Sequence, residues 1–190
     1  EQFKNNKEVT KDVDLLVSQI ERCSEILKKL TLNPTVEDDF IDKNFTIAGY
    51  IKEIVKSFEE ISLKKFIINL DQNQNVINLA KSIEIVYGLR NFIGNANKFA
   101  KNTIFITIKS DKDFIEIIVE DDGDGYPRDV LSKIGEPYIR SFQYSEKSKT
   151  GLGLGIFIGK TLLEKNFANI ICCNSKTRSG AQVSIKWKIK

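Results

Sequence analysis

Apolar residues Val9, Val13, Leu16, Ile20, Cys23, Leu27 and Leu30 recur at alternating spacings of four and three, with Lys, Glu and Arg between them. That rhythm predicts a helix with an apolar seam of the helical-hairpin or coiled-coil kind, ending near Asn33-Pro34, where proline disfavours further helix. The helix either lies on its own domain or meets a partner helix or second subunit. The seam's regularity, with no neighbouring segment to cover it, favours the partner. Residues 1–33 therefore read as one element and 34–190 as a separate globular unit.

After Asp42 the pattern becomes an α/β alternation. The spacing predicts a helix from about Ala48 to Glu60, a strand near Phe66 to Leu70 and a long helix from about Lys81 to Ala100. Strands Thr103 to Lys109 and Phe114 to Glu120 follow, joined by a polar hairpin at Ser110 to Asp113. Asp121 to Thr150 is rich in Gly, Ser, Lys and Asp and predicts a mobile loop with one short helix near Asp129 to Ile134. A helix from about Leu152 to Lys165 and strands Asn169 to Cys173 and Gln182 to Ile189 complete the unit. Of Cys172 and Cys173, one should face the core and one outward.

Composition narrows the chemistry. The chain has 190 residues, 41% apolar and 29% charged, with a formal charge of +3, values typical of a folded soluble domain. No apolar run approaches the roughly 18 residues of a membrane span, and the small, dispersed positive surplus does not point to nucleic acid. The expected location is cytoplasmic, with membrane attachment only through segments outside this sequence. Three cysteines build no disulfide scaffold. The count of zero histidines removes Ser-His and Cys-His catalysis, histidine-ligated zinc and any phosphate-accepting histidine within this sequence.

Seven of the eleven glycines lie between Gly123 and Gly159, which marks backbone that turns sharply or approaches a ligand. Two familiar glycine motifs fail. Gly159-Lys160-Thr161 would close a P-loop, but Leu154 occupies its first glycine position; a dinucleotide fingerprint from Gly151 or Gly153 meets Ile156 or Ile158 where its third glycine belongs.

Three groups remain. Asn91, Asn95 and Lys98 share one helical face, where amide oxygens suit a hard cation and an ammonium suits phosphate. Asp121 ends a strand beside Gly123 and Gly125, where a carboxylate can accept from an exocyclic amine. Gly151, Leu152, Gly153, Leu154 and Gly155 open a helix whose amides and dipole favour anionic oxygens.

In this order and spacing the three groups resemble the N, G1 and G2 boxes of the GHKL ATP-binding superfamily, which includes gyrase-type ATPases, heat-shock chaperones, mismatch-repair ATPases and histidine kinases. The resemblance implies a two-layer α/β sandwich, a mixed sheet with helices on one face, preceded by the long helix, with nucleotide between the helices and a lid of about residues 126–150. It implies ATP and Mg²⁺ as cofactors, with Asn95 on the metal, Asn91 supporting it and Lys98 neutralising phosphate. It places Asp121 on the adenine amine, Gly123 and Gly125 under the ring, and Gly151 to Gly155 along the triphosphate. Phe99 either caps the base or belongs to the core, and Arg140, Lys147 and Lys149 in the lid are either added contacts or solvated.

Hydrolytic members carry a glutamate where this sequence has Asn91, so the likeness is to the histidine kinase branch: transfer of the γ-phosphate to a histidine on an upstream helix, then to a response regulator receiver domain. Residues 1–33 resemble the second helix of the dimerisation hairpin, implying a homodimer in the full protein. Glu21 to Leu27, Gly135 to Tyr138 and Gly151 to Leu163 resemble the RegB/PrrB class of redox-responding sensor kinases, whose proposed switch maps to Cys23; Cys23 is otherwise a small seam residue. Without the acceptor histidine, the chain is expected to bind nucleotide but not to phosphorylate itself. The resemblance thus implies the cytoplasmic portion of a membrane-bound bacterial sensor in a two-component phosphorelay. Gly180 is followed by Ala181 where the family often has threonine. An ATP hydrolase, an anti-sigma-type serine kinase and a non-catalytic nucleotide-binding module are the alternative readings.

Overall fold

The computed structural model describes residues 46–70, 82–139 and 153–189, all within one compact unit, Asn44–Lys190. The seam with Cys23, the glycine run's Gly151 and Leu152, and the lid cations Arg140, Lys147 and Lys149 lie outside the described residues.

Helix α1, Ile47–Glu59, starts where the Thr46 side chain accepts a hydrogen bond from the Gly49 amide at 3.2 Å. Its Ile47, Tyr50, Ile51, Ile54 and Val55 form a buried stripe at helical spacing. Strand β1, Lys65–Leu70, leads toward helix α2, Ile83–Phe99. This second helix buries Ile85, Val86, Leu89, Phe92, Ile93 and Ala96, leaving Asn91 and Asn95 partly exposed. Strands β2, Thr103–Ser110, and β3, Phe114–Asp121, form a hairpin. The Asp111 carboxylate closes its turn by accepting from the amides of Asp113 and Phe114.

Helix α3 is a single turn, Arg128–Leu131, shorter than the expected Asp129 to Ile134. Beyond it the bonds from Lys133 N to Val130 O and from Glu136 N to Lys133 O span only three residues, so the chain turns instead of propagating helix. Helix α4, Gly155–Lys165, begins at Gly155, not near Leu152. Gly153 adopts φ +71°, outside helical space, and so bars an earlier start. Strands β4, Ala168–Asn174, and β5, Ala181–Lys188, complete a sheet of order β1-β2-β3-β5-β4. Only β1 and β2 pair in parallel; the other pairs are antiparallel.

Alternation along the central strands sorts the two faces. Ile104, Ile106 and Ile108, then Ile115, Ile117 and Val119, then Val183, Ile185 and Trp187 are buried on one face. Each fully buried side chain of this size contributes on the order of 1.5–3 kcal/mol through removal from water. Helices cover this face, and the result is the expected two-layer sandwich. The opposite face carries Glu116, Glu120, Ser184 and Lys186, where the Arg178 guanidinium lies 3.5 Å from the Phe105 ring centroid. In β4, Cys172 pairs with Val183 and Cys173 with Gln182, so the adjacent cysteines point to opposite faces.

Helices α2 and α4 pack closely through small residues. A side chain at Gly159 would place its first carbon 3.0 Å from the Phe92 ring and 3.1 Å from Asn91 Cβ. This contact brings the start of α4 alongside the polar edge of α2.

Candidate functional site

Between α2 and the sheet lies a small open cleft. It is lined by Phe92 and Asn95 of α2, Val119 and Asp121 of β3, Tyr126, and Ala181 and Val183 of β5. Two of the three sequence groups therefore meet in one place. Asn95 contributes from the helix and Asp121 from the strand end, across the same opening.

Asp121 is only 3% exposed. Its Oδ1 accepts from the amides of Gly123 at 2.9 Å and Ala181 at 3.1 Å. Burial pushes this carboxyl above its ordinary value, and nearby Asp122 adds to the push. The two amides and the Lys64 ammonium act in the opposite direction without prevailing. Asp121 thus sits in a desolvated setting where a donor from a ligand gains strength. Gly180 packs directly above it, since a Cβ there would fall 2.0 Å from the Asp121 carbonyl oxygen.

The neighbouring Asp122 has a different task. Its two oxygens accept from the amides of Lys101, Asn102 and Thr103 at 2.8 to 3.1 Å, tying the turn after α2 to the end of β3. Burial acts to raise its carboxyl, but the amides of Asn102, Thr103 and Lys101 prevail and hold it below the ordinary value.

Gly123 and Gly125 have identifiable packing reasons. A Cβ on Gly123 would approach the Phe99 carbonyl oxygen to 2.4 Å. Gly125 has φ +75°, and a Cβ there would lie 2.8 Å from Asn174 Oδ1. Tyr126, expected as the first lid residue, is buried in the cleft wall, and burial raises its phenol well above its ordinary value. Phe99 is not a core residue: it is 41% exposed at the end of α2, with the Lys98 ammonium 5.3 Å from its ring centroid.

On α2, the Asn91 Nδ2 donates to the Tyr87 carbonyl at 2.9 Å, fixing the amide. Its Oδ1 lies on the side of Gly155, 3.6 Å from where a Cβ would stand. Gly155 is the first residue of α4, whose preceding Leu154 makes no side-chain cap. The end of the glycine run is therefore held beside Asn91, with the first-turn amides of α4 uncapped by any described side chain. Gly153 packs on the Ile139 backbone, where a Cβ would fall 2.3 Å from the carbonyl oxygen. At the far end of α2, the Lys64 ammonium donates to the carbonyls of Asn97 and Lys98, and the Ser62 hydroxyl donates to Asn97 Oδ1 at 2.8 Å.

A family model described as "Histidine kinase-, DNA gyrase B-, and HSP90-like ATPase" matches residues 80–190. The chain belongs to this ATPase family. The match takes in α2, the Asp121 turn and α4, the elements that bear every candidate just placed. Among relatives of this chain, the sensor histidine kinase RegB of Cereibacter sphaeroides is 30% identical, over 94% of this chain and 42% of that protein. A putative sensor histidine kinase NtrY-like of Rickettsia felis is also 30% identical, over 76% of this chain and 23% of that protein. The chain thus spans less than half the length of these curated relatives. Among solved structures, the catalytic domain of histidine kinase ThkA superposes with a TM-score of 0.62 at 21% identity, covering 76% of this chain and 95% of that one. Full-length ShkA in complex with AMPPNP gives 0.65 at 18% identity, over 98% of this chain and 40% of that one. The GHKL sandwich of the ATPase family is thereby the fold of this chain.

Sequence reasoning passed over Asp122, Asn174, Lys64 and the packing role of Gly180. Asp122 directly follows Asp121 in the sequence, but its amide partners are 19 to 21 residues earlier in the chain. Asn174 bonds Tyr126 across 48 residues, and no local pattern announces such a contact.

Proposed function

We propose that this chain is the ATP-binding catalytic portion of a sensor histidine kinase, which transfers the γ-phosphate of ATP to a histidine on another segment of the full protein. The observation that carries this reading is the meeting of Asn95 and the desolvated Asp121 in one cleft. Asp121 accepts from the adenine amine, a charge-assisted bond in a setting that excludes water. Tyr126 and the Gly123-Gly125 turn frame the ring. Lys98, at the exposed end of the same helical face, attracts phosphate, and the first-turn amides of α4, which no described side chain caps, face anionic oxygens. Gly151 and Leu152 extend that role along the run.

The donors fit Mg²⁺, which takes few protein ligands and keeps water and phosphate oxygens for the rest. Asn95 would hold it, with the oriented Oδ1 of Asn91 in support, and the bound ion would neutralise charge on the transferring phosphoryl group. No carboxylate occupies position 91 to activate water, which supports transfer over hydrolysis. Orientation and charge neutralisation supply the acceleration. The proposed setting is a cytoplasmic catalytic region of a homodimeric sensor, passing phosphate to a receiver domain. Cys23 as its redox switch is part of the same proposal. Among the described residues no helix is long and apolar enough to cross a membrane.

The test combines the purified chain with a separately made acceptor hairpin, Mg²⁺ and γ-labelled ATP. Label should appear on the acceptor histidine and fall at least about a hundredfold with Asn95→Ala, as for loss of a metal-positioning group. Undiminished transfer by that variant would remove the role of Asn95. Steady phosphate release in place of transfer would favour a hydrolase.

A further inference from the structure

The backbone between Asp121 and α3 has no regular structure, yet Tyr126 is buried there and forms a wall of the cleft. Buried backbone polar groups need partners. For Tyr126 both come from one side chain. Asn174 Oδ1 accepts from the Tyr126 amide at 2.6 Å, and Asn174 Nδ2 donates to the Tyr126 carbonyl at 3.0 Å. The carboxamide thus grips both polar groups of one residue, as a neighbouring strand would. Gly125 leaves the space for it, since a Cβ at that position would meet Asn174 Oδ1 at 2.8 Å.

The location of Asn174 gives this grip a consequence. Asn174 is the last residue of β4 and pairs in register with Ala181 of β5. Ala181 is the residue whose amide donates to Asp121 Oδ1. One rung of the sheet therefore holds the cleft wall through Asn174 and the buried carboxylate through Ala181. The rung thus ties Tyr126 and Asp121 together from the sheet side, in addition to the Gly123 amide that bonds Asp121 from within the loop joining them.

We propose that Asn174 is a positioning residue for the nucleotide base: by clamping Tyr126 it fixes the wall against which a purine's exocyclic amine is held to Asp121. The proposal rests on the nucleotide reading given above and goes beyond it in naming what sets base selectivity. Asn174 touches no phosphate and no metal in this scheme. Adenine presents a donor to Asp121, whereas guanine presents a carbonyl at the corresponding edge, so a wall held in place favours adenine. A loosened wall lets the ring shift and the preference relax.

The experiment measures ATP and GTP affinities by calorimetry on the full chain with Mg²⁺, for wild type, Asn174→Leu and Asn174→Asp. Removing both bonds with Asn174→Leu should lower the ratio of ATP to GTP affinity about tenfold. Asn174→Asp keeps the acceptor and loses the donor, and should lower the ratio about threefold. If Asn174→Leu does not fold, the aspartate variant decides alone. An unchanged ratio overturns the proposal, even where both affinities fall together, because a merely structural role weakens both nucleotides alike. Failure of wild type to bind ATP at all would instead remove the nucleotide reading, and this proposal with it.

Discussion

Asp121 and Asp122 are adjacent in the chain and opposite in purpose, and their responses to pH should separate them. Burial raises the Asp121 carboxyl, so the stability it contributes is present below its unfolded value and is lost as pH rises through the folded one. Asp122 is lowered in net, so its contribution is present above the unfolded value and lost as pH falls through the folded one. Asp121→Asn, with an amide oxygen still able to accept from Gly123 and Ala181, should leave the ligand-free protein at least as stable at neutral pH. The same change should weaken ATP binding by about 1.4 kcal/mol, or tenfold. Asp122→Ala should cost about 1–2 kcal/mol of stability at neutral pH, and less in acid. Urea titrations at several pH values, paired with calorimetry, check both; a stability loss for Asp121→Asn would make that carboxylate a structural brace. Asp121 was legible from the sequence because a strand end, an acid and two glycines fall together. Asp122 was not, because its value lies in three amides that only the folded chain brings near.

Among the elements, the contact between α2 and α4 governs the third sequence group. Gly159 gives that contact its closeness, and Gly155 stands one turn earlier beside Asn91. Gly159→Val should push the helices apart, cost about 1–3 kcal/mol through overpacking and weaken nucleotide binding by displacing the start of α4. Denaturation midpoints and binding affinities measured on the same variant check this, and retained stability with retained affinity would show that the helices part without consequence. The strands and the two long helices were legible within a few residues because each keeps a clean period, 2 or 3.6, over its length. The errors fell where that period fades. Helix α3 stopped at Leu131 and α4 started late because turn geometry and a positive-φ glycine decided those ends. Neither leaves an apolar rhythm. For Gly159, the sequence suggested only the tail of a failed phosphate loop, whereas its use is helix packing.

At the scale of the molecule, fold class was legible through the order of the three motifs more than through any one element. The strand order β1-β2-β3-β5-β4 was not written in the alternation, because pairing partners are chosen by which apolar faces reach one core. The candidate site follows from that topology: the pairing of β3 with β5 brings Asp121 and Ala181 together, and Asn95 of α2 and Tyr126 of the segment after β3 line the same cleft. The parallel pairing of β1 with β2 has a practical result for anyone cutting the gene. The ATPase family match opens at residue 80, downstream of α1 and β1. A recombinant piece trimmed to that boundary would strip the partner from β2 and bare a rim of unsatisfied amides along an isoleucine-rich ribbon, inviting clumping. Size-exclusion chromatography should show such a piece aggregated beside a monodisperse version begun before Thr46. Usable truncations therefore have to keep a strand that family likeness alone would discard.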